Sequence, residues 1–149
     1  MTTPLIGGCM CGAIRYTLSI PVTDLRACHC TTCQKGSGTQ GSVNAVVPAS
    51  AFKLTKGTPK RYESLADSGG KLHRYFCGDC GSPIYSQRAV ALDMLVVRAG
   101  TFDDSSGMKI TANIWTRSAR PWAYIDPAST QLPGQPNAPG QPVAPAAQK

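Results

Sequence analysis

The chain has 149 residues with 42% hydrophobic content, enough for one modest core, and a formal charge of +7. No apolar run exceeds four residues before a charge or proline, which excludes a membrane-spanning helix. Fifteen glycines and twelve prolines against 7% aromatics favour short strands and turns over long helices.

The N-terminal Met-Thr-Thr-Pro-Leu-Ile-Gly-Gly has neither the basic region nor the apolar run of a secretory signal, so a cytoplasmic protein is expected. Cys9 and Cys11 follow at once. Residues 14 to 20 then alternate, with Ile14, Tyr16, Leu18 and Ile20 on one face and Arg15, Thr17 and Ser19 on the other, which predicts a half-buried strand ended by Pro21. A short extended piece from Asp24 to Cys28 leads into Cys28-His29-Cys30-Thr31-Thr32-Cys33. Gly36, Gly38 and Gly41 come next and allow close approach of backbone to whatever the thiols hold.

Further strands are predicted over 41–47, 52–56, 60–64, 72–77, 83–88, 94–99 and 109–115, separated by turns such as Lys56-Gly57-Thr58-Pro59 and Ser68-Gly69-Gly70. Helical turns are expected only near 31–35 and 48–52. From Pro133 to Lys149 large apolar residues nearly vanish, so a Pro/Gln/Ala-rich flexible tail is expected there, with the folded domain over about residues 5–125.

Seven cysteines in a reducing compartment, an odd number in tight clusters, read as metal ligands and not as disulfides. Residues i and i+2 of a strand face the same way, so Cys9/Cys11 and Cys28/Cys30 can each aim two sulfurs at one point. Cys77-Gly78-Asp79-Cys80-Gly81 is instead a tight knuckle, and it needs two partners from elsewhere. Cys9 and Cys11 supply them. That leaves Cys28, Cys30 and Cys33 as a set one ligand short of a closed tetrahedral zinc site. His29 projects to the opposite side of an extended segment and is a poor fourth ligand, and His73 has a surface or supporting place by alternation. A redox relay is disfavoured because no cysteine follows Cys80. Seven thiolates and two Zn2+ ions would leave the chain at about +4, still basic.

Three motifs together resemble one family: Gly7-Gly8-Cys9-Met10-Cys11-Gly12-Ala13-Ile14-Arg15-Tyr16, Cys28-His29-Cys30-Thr31-Thr32-Cys33-Gln34-Lys35 and Phe76-Cys77-Gly78-Asp79-Cys80-Gly81-Ser82-Pro83-Ile84. With Ala99-Gly100-Thr101-Phe102-Asp103-Asp104 and the late tryptophans, the set is similar to the glutathione-dependent formaldehyde-activating enzymes, which share a domain with centromere protein V. The resemblance implies an all-β, Mss4-like fold, a β-tent of several short antiparallel sheets pinned by zinc. It also implies a structural zinc on Cys9, Cys11, Cys77 and Cys80 and a catalytic zinc on Cys28, Cys30 and Cys33. The activity implied is that of a carbon-sulfur lyase acting on S-hydroxymethylglutathione, the adduct of glutathione and formaldehyde.

The competing reading is a non-enzymatic module with both zincs structural, binding protein or nucleic acid. Nucleic acid is disfavoured, because Lys53, Lys56, Lys60, Arg61, Lys71 and Arg74 are diluted by Glu63 and Asp67 and lack interleaved aromatics, which describes a solvated face. A small-molecule thiol such as glutathione is the expected partner, and no oligomeric state follows from the sequence. Trp115, Trp122 and Tyr124 are expected to pack the closing strand on the core. Gln34, Lys35 and Ser37 are candidate contacts for a ligand at the second cluster.

Overall fold

The computed structural model describes residues 4–136. Three strands, β1 (Leu5–Gly8), β2 (Arg15–Leu18) and β5 (Phe52–Lys56), form a small antiparallel sheet in the order β1-β2-β5. The other eight are β3 (Asp24–Cys28), β4 (Ser42–Pro48), β6 (Lys60–Leu65), β7 (Lys71–Phe76), β8 (Pro83–Arg88), β9 (Ala91–Arg98), β10 (Lys109–Ile114) and β11 (Thr130–Leu132). They form a second sheet in the order β11-β10-β3-β4-β9-β8-β7-β6, parallel only where β10 meets β3 and β11. The single α-helix, α1 (Thr31–Ser37), follows β3. The fold is thus all-β, as expected, with the strands gathered into two sheets.

The alternation in β2 does what its pattern demands: Tyr16 and Leu18 are fully buried and Ile14 nearly so. Their face joins Ala45, Val47, Ile84, Leu95 and Val97 of the large sheet in the main core, which also takes in Cys9 and Cys77. An aromatic ladder ties the sheets together, from Tyr16 to Phe52 (centroids 4.9 Å apart), to Tyr85 (4.9 Å) and to Tyr75 (4.4 Å). Each such pair adds about 1 kcal/mol beyond its buried area.

Strand β1 was not expected, because only Leu5 and Ile6 carry apolar side chains. Its register depends on Gly7, where a Cβ would stand 2.4 Å from the Tyr16 hydroxyl and 2.5 Å from the Thr101 carbonyl oxygen. Glycine therefore lets β1 lie against β2, and Tyr16 Oη is free to pair with Thr101 Oγ1 at 2.7 Å.

The packed chain also runs past residue 125, where the domain was expected to end. Strand β11 pairs with β10, and the following residues reach Trp115: its backbone N–H donates to the Gly134 carbonyl (3.3 Å) and its indole Nε1–H to Gln135 Oε1 (3.1 Å). The pairing edge of β10 and the two donors of Trp115 hold a stretch whose own side chains are too polar to predict it. Residues 137–149, most of the expected tail, lie outside the described residues.

Candidate metal centres

The first cysteine group is made of two turns that meet. Cys9-Met10-Cys11 is not on a strand, as the i, i+2 argument supposed, but in a turn just past β1: Cys9 N–H donates to Ile14 O and Gly12 N–H to Cys9 O, both at 3.1 Å. Gly12 takes φ 75°, a conformation that permits the reversal. The knuckle at Cys77 repeats the plan, with Cys77 N–H on Ser82 O and Gly81 N–H on Cys77 O, both 2.9 Å, and Gly81 at φ 77°. The strand argument failed because two glycines flanking a cysteine pair favour a turn over extension.

The four sulfurs lie within 4.8 Å of one another, with Cys9 Sγ 3.6 Å from Cys11 Sγ and Cys11 Sγ 3.8 Å from Cys77 Sγ. Four thiols so close, unbridged by disulfide, match the sulfur spacing of a tetrahedral thiolate site. Backbone and hydroxyl donors favour thiolate at two of the four: Ile14 N–H donates to Cys9 Sγ at 3.1 Å, and the Ser82 hydroxyl beside Cys80 helps bring that thiol down to about 5, whereas Cys11, despite the backbone donor at Ala13, is pushed up to about 12 by its thiol neighbours Cys9 and Cys80. Met10 N–H donates to Ser82 Oγ and ties the two turns to each other.

The second group sits where β3 meets α1. Cys28 ends β3, Cys30 is the helix N-cap with extended backbone, and Cys33 lies in the first turn, its N–H 3.4 Å from Cys30 Sγ. Gly41 closes the back of the cluster, since a Cβ there would meet the Cys28 carbonyl oxygen at 2.2 Å. The three sulfurs are within 4.8 Å of one another, and among the described residues no His, Asp or Glu joins them at that distance. Thiol donors at Cys28 and Cys30, the Ser42 hydroxyl and the Arg98 charge hold Cys33 far below the ordinary thiol range, while sharing protons with these neighbours pushes Cys28 up.

His29 turns away, as its position between the two cysteines requires. It is 1% exposed, and its Nε2 is 2.8 Å from Asn113 Oδ1. His73 lies across from Glu63 in the β6–β7 ladder and pairs with it at 3.2 Å. Gln34 is buried, and its Nε2 donates to the carbonyls of His29 and Ser118, both 2.8 Å, which locks the helix to the chain after β10. Ser37 donates to Gly41 O at 2.6 Å, and Lys35 is exposed. Trp122 and Tyr124, expected in the core, are 66% and 76% exposed. They follow the short 3-10 turn Thr116–Ser118, where the chain has already left the sheet. Trp115 alone is buried, at 2%, and it packs with Ile114 on Cys28, Cys30 and Cys33.

The second cluster opens on a cavity that the first does not share. Its lining includes all three cysteines, Asn44, Ser86 and Trp115, with Arg98 across from them. Arg98 is mostly withdrawn from solvent, and it donates through Nη1 to Asn44 Oδ1 and through Nη2 to Ser86 Oγ, each at 2.5 Å. Sequence reasoning passed over Arg98, Asn44 and Ser86. The available signal was that Asn44 and Arg98 alternate with the core residues Ala45 and Val97, which puts them on the sheet face opposite the main core, where Ser86 also lies across from Val96.

The family model of the glutathione-dependent formaldehyde-activating enzymes matches residues 4–118, which contain both cysteine groups. The chain belongs to that family. Members of the family similar to it include provisionally named glutathione-dependent formaldehyde-activating enzymes from Emericella nidulans and Penicillium rubens. The first is 33% identical over 79 residues, covering 53% of this chain and 39% of its own length; the second matches equally, over 40% of its length. The chain thus spans well under half of these relatives. A crystal structure of a Rhodobacter sphaeroides protein shares the fold, with a TM-score of 0.54 and 17% identity over 85% of this chain and 98% of that one. Among the described residues no helix is long and apolar enough to cross a membrane.

Proposed function

We propose that this family member is a two-zinc enzyme of thiol–aldehyde chemistry, a carbon-sulfur lyase that makes or cleaves the S-hydroxymethyl adduct of glutathione in a reducing, cytoplasmic setting. Cys9, Cys11, Cys77 and Cys80 would hold a structural zinc, and Cys28, Cys30 and Cys33 a catalytic one. The observation that carries the reading is the difference in completeness: four sulfurs in the first group, three in the second, and a cavity opening over the three. When bound by three thiolates, zinc supplies an open position and Lewis acidity.

In the synthetic direction a thiol sulfur attacks the formaldehyde carbon, an S–C bond forms, the C=O π bond breaks, and the thiol proton ends on oxygen as the hydroxyl. The chain's own residues hold the reactants together and exclude water. Trp115 and Ile114 shield one side of the cysteines, which lowers the local dielectric. Arg98, fixed by Asn44 and Ser86, faces the cluster with a positive charge that favours the sulfur anion over the thiol and stabilises the negative charge that builds on oxygen as the C=O π bond breaks.

The test is metal analysis combined with exchange spectroscopy. Two zincs per chain are expected, together with exchange between glutathione and its formaldehyde adduct faster than the uncatalysed rate at the same pH. Four protein ligands at the second site, with no acceleration, would instead make this a binding module with two structural zincs.

A further inference from the structure

The cavity over Cys28, Cys30 and Cys33 carries more positive charge than a simple thiol needs. Arg26, Lys71, Arg74, Arg88 and Arg98 line it, and among the described residues Asp67 is its only acid. These groups are not equivalent. Lys71 is already paired, with Glu63 at 3.1 Å, and both Nη groups of Arg98 are engaged by Asn44 and Ser86. Asp67 gives its Oδ2 to the backbone N–H and hydroxyl of Thr31, both at 2.9 Å; its Oδ1 is buried without a hydrogen-bond partner, and among the described residues it makes no ion pair with these cations.

Arg74 differs from all of them. Its Nε donates to Ser64 Oγ at 3.0 Å, which fixes the plane of the guanidinium, yet its Nη2 is buried with no hydrogen-bond partner. An unpaired buried donor on a charged group keeps its full desolvation cost, so with no partner among the described residues it is suited to take one from a ligand. Cross-strand register brings Arg74 opposite Ser86, the residue that Arg98 holds, so the two guanidiniums lie close enough to repel each other. Two neighbouring cations without a carboxylate between them make an anion site.

We propose that Arg74 is the carboxylate-recognition residue of this cavity, and that the thiol taken there is selected for carrying carboxylate groups, with Arg26 and Arg88 adding long-range attraction at the rim. A carboxylate oxygen accepts from Arg74 Nη2 while the sulfur of the same molecule lies at the cysteine cluster. The inference rests on the reading that the cavity takes a thiol, and it adds which part of that molecule the protein reads. It also accounts for a basic cavity in which the acid is turned toward the helix.

The experiment is calorimetric titration of the full zinc-loaded chain with mercaptosuccinate, 3-mercaptopropionate and 2-mercaptoethanol, repeated with R74Q and R74K, with zinc content and melting temperature recorded for each variant. For the natural chain, affinity should rise in the order neutral, monocarboxylate, dicarboxylate, with about tenfold or more between the first and the last. R74Q should bring that ratio close to one. R74K should restore part of it, since lysine keeps the charge without the planar fork. Equal affinity for the three thiols, or an undiminished ratio in a folded R74Q, would overturn the proposal. So would inorganic phosphate displacing mercaptosuccinate at a comparable concentration, which would make Arg74 a general oxyanion site. Turnover of glutathione and formaldehyde is measured alongside: selectivity without turnover would sink the proposed reaction and leave Arg74 standing, and turnover without selectivity would do the reverse.

Discussion

The two cysteine groups are built from the same ligand type and placed in opposite surroundings. Cys9 and Cys77 are part of the main hydrophobic core, where they touch the packing of both sheets. Cys28, Cys30 and Cys33 form a satellite cluster with Ile114 and Trp115, apart from that core and open to a cavity. The first group therefore joins the start of the chain to residues about seventy positions later and closes a long loop, whose entropy a metal on these four sulfurs would offset. The second joins residues only five apart, from Cys28 to Cys33, which a strand end and one helical turn already bring together. A metal there would contribute little to loop closure, which suits the catalytic role proposed for it.

This contrast is easiest to break at its strong end. Cys77→Ala should unfold the chain or leave it partly collapsed, because a buried core position loses its metal link together with its packing; a loss on the order of several kcal/mol exceeds much of a small domain's stability. Circular dichroism and metal analysis check it: zinc should drop by at least one equivalent and the cooperative melt should vanish. Cys33→Ala should keep one zinc and a cooperative melt, lowered by a few degrees, while adduct exchange falls to the uncatalysed rate. Were both variants to unfold alike, the division between clasp and open site would fail.

The open site can be sharpened through Arg98. Arg98→Met removes the charge and leaves Asn44 and Ser86 as buried polar groups without their partner, at a cost of about 2–4 kcal/mol. Thermal unfolding should register that loss, and adduct exchange in the surviving folded fraction should drop at least tenfold. Exchange at the natural rate in that fraction would show that the cation supports only the fold.

Much of this division was legible in the residues. Cysteine spacing alone separated four ligands from three, since Cys77-Gly78-Asp79-Cys80 demands distant partners while Cys28, Cys30 and Cys33 are self-sufficient. Strands with clean alternation, such as the one carrying Tyr16 and Leu18, were legible because burial on one face imposes period two. Three things were not. The turn at Cys9 looked like a strand because i, i+2 spacing suits both, and only Gly12 distinguishes them. Strands β1 and β11 hold few large apolar residues, and their pairing is set by neighbours distant in sequence. The cavity's cations come from β3, β7, β8 and β9, and no local pattern joins Arg26 to Arg98.

Two tyrosines of the aromatic ladder, Tyr16 of the small sheet and Tyr85 of the large one, give the fold an alkaline limit. Burial pushes the hydroxyl of Tyr16 up to about 12, and that of Tyr85 likewise. Above pH 10 the unfolded chain loses these protons while the folded chain keeps them, so the folded state binds more protons and stability must fall as pH rises. The stabilisation is present in full below the unfolded value near 10 and is lost up to about 12, with a slope of up to about 1.4 kcal/mol per pH unit for each tyrosine. Chemical denaturation between pH 9 and 12 should show this decline, and Tyr16→Phe should make it shallower at the cost of about 1 kcal/mol at pH 8 for the lost Thr101 contact. An unchanged slope would place the alkaline sensitivity elsewhere.

The smallest effect should come from Arg15 and Asp103, the ion pair on the outside of the small sheet beside the clasp. Their side chains are 31% and 51% exposed, so water and salt screen the pair, and two flexible side chains lose entropy in forming it. Asp103→Asn removes the charge but keeps an acceptor, and the backbone N–H of residue 103 still donates to Ile6 O. Its cost should stay below about 1 kcal/mol and vanish in 1 M salt, readable as a shift of a degree or two in melting temperature. A larger, salt-independent loss would mean that the pair helps hold β1 in place, and with it the turn that presents Cys9 and Cys11. The clasp would then depend on an exposed ion pair as well as on its sulfurs.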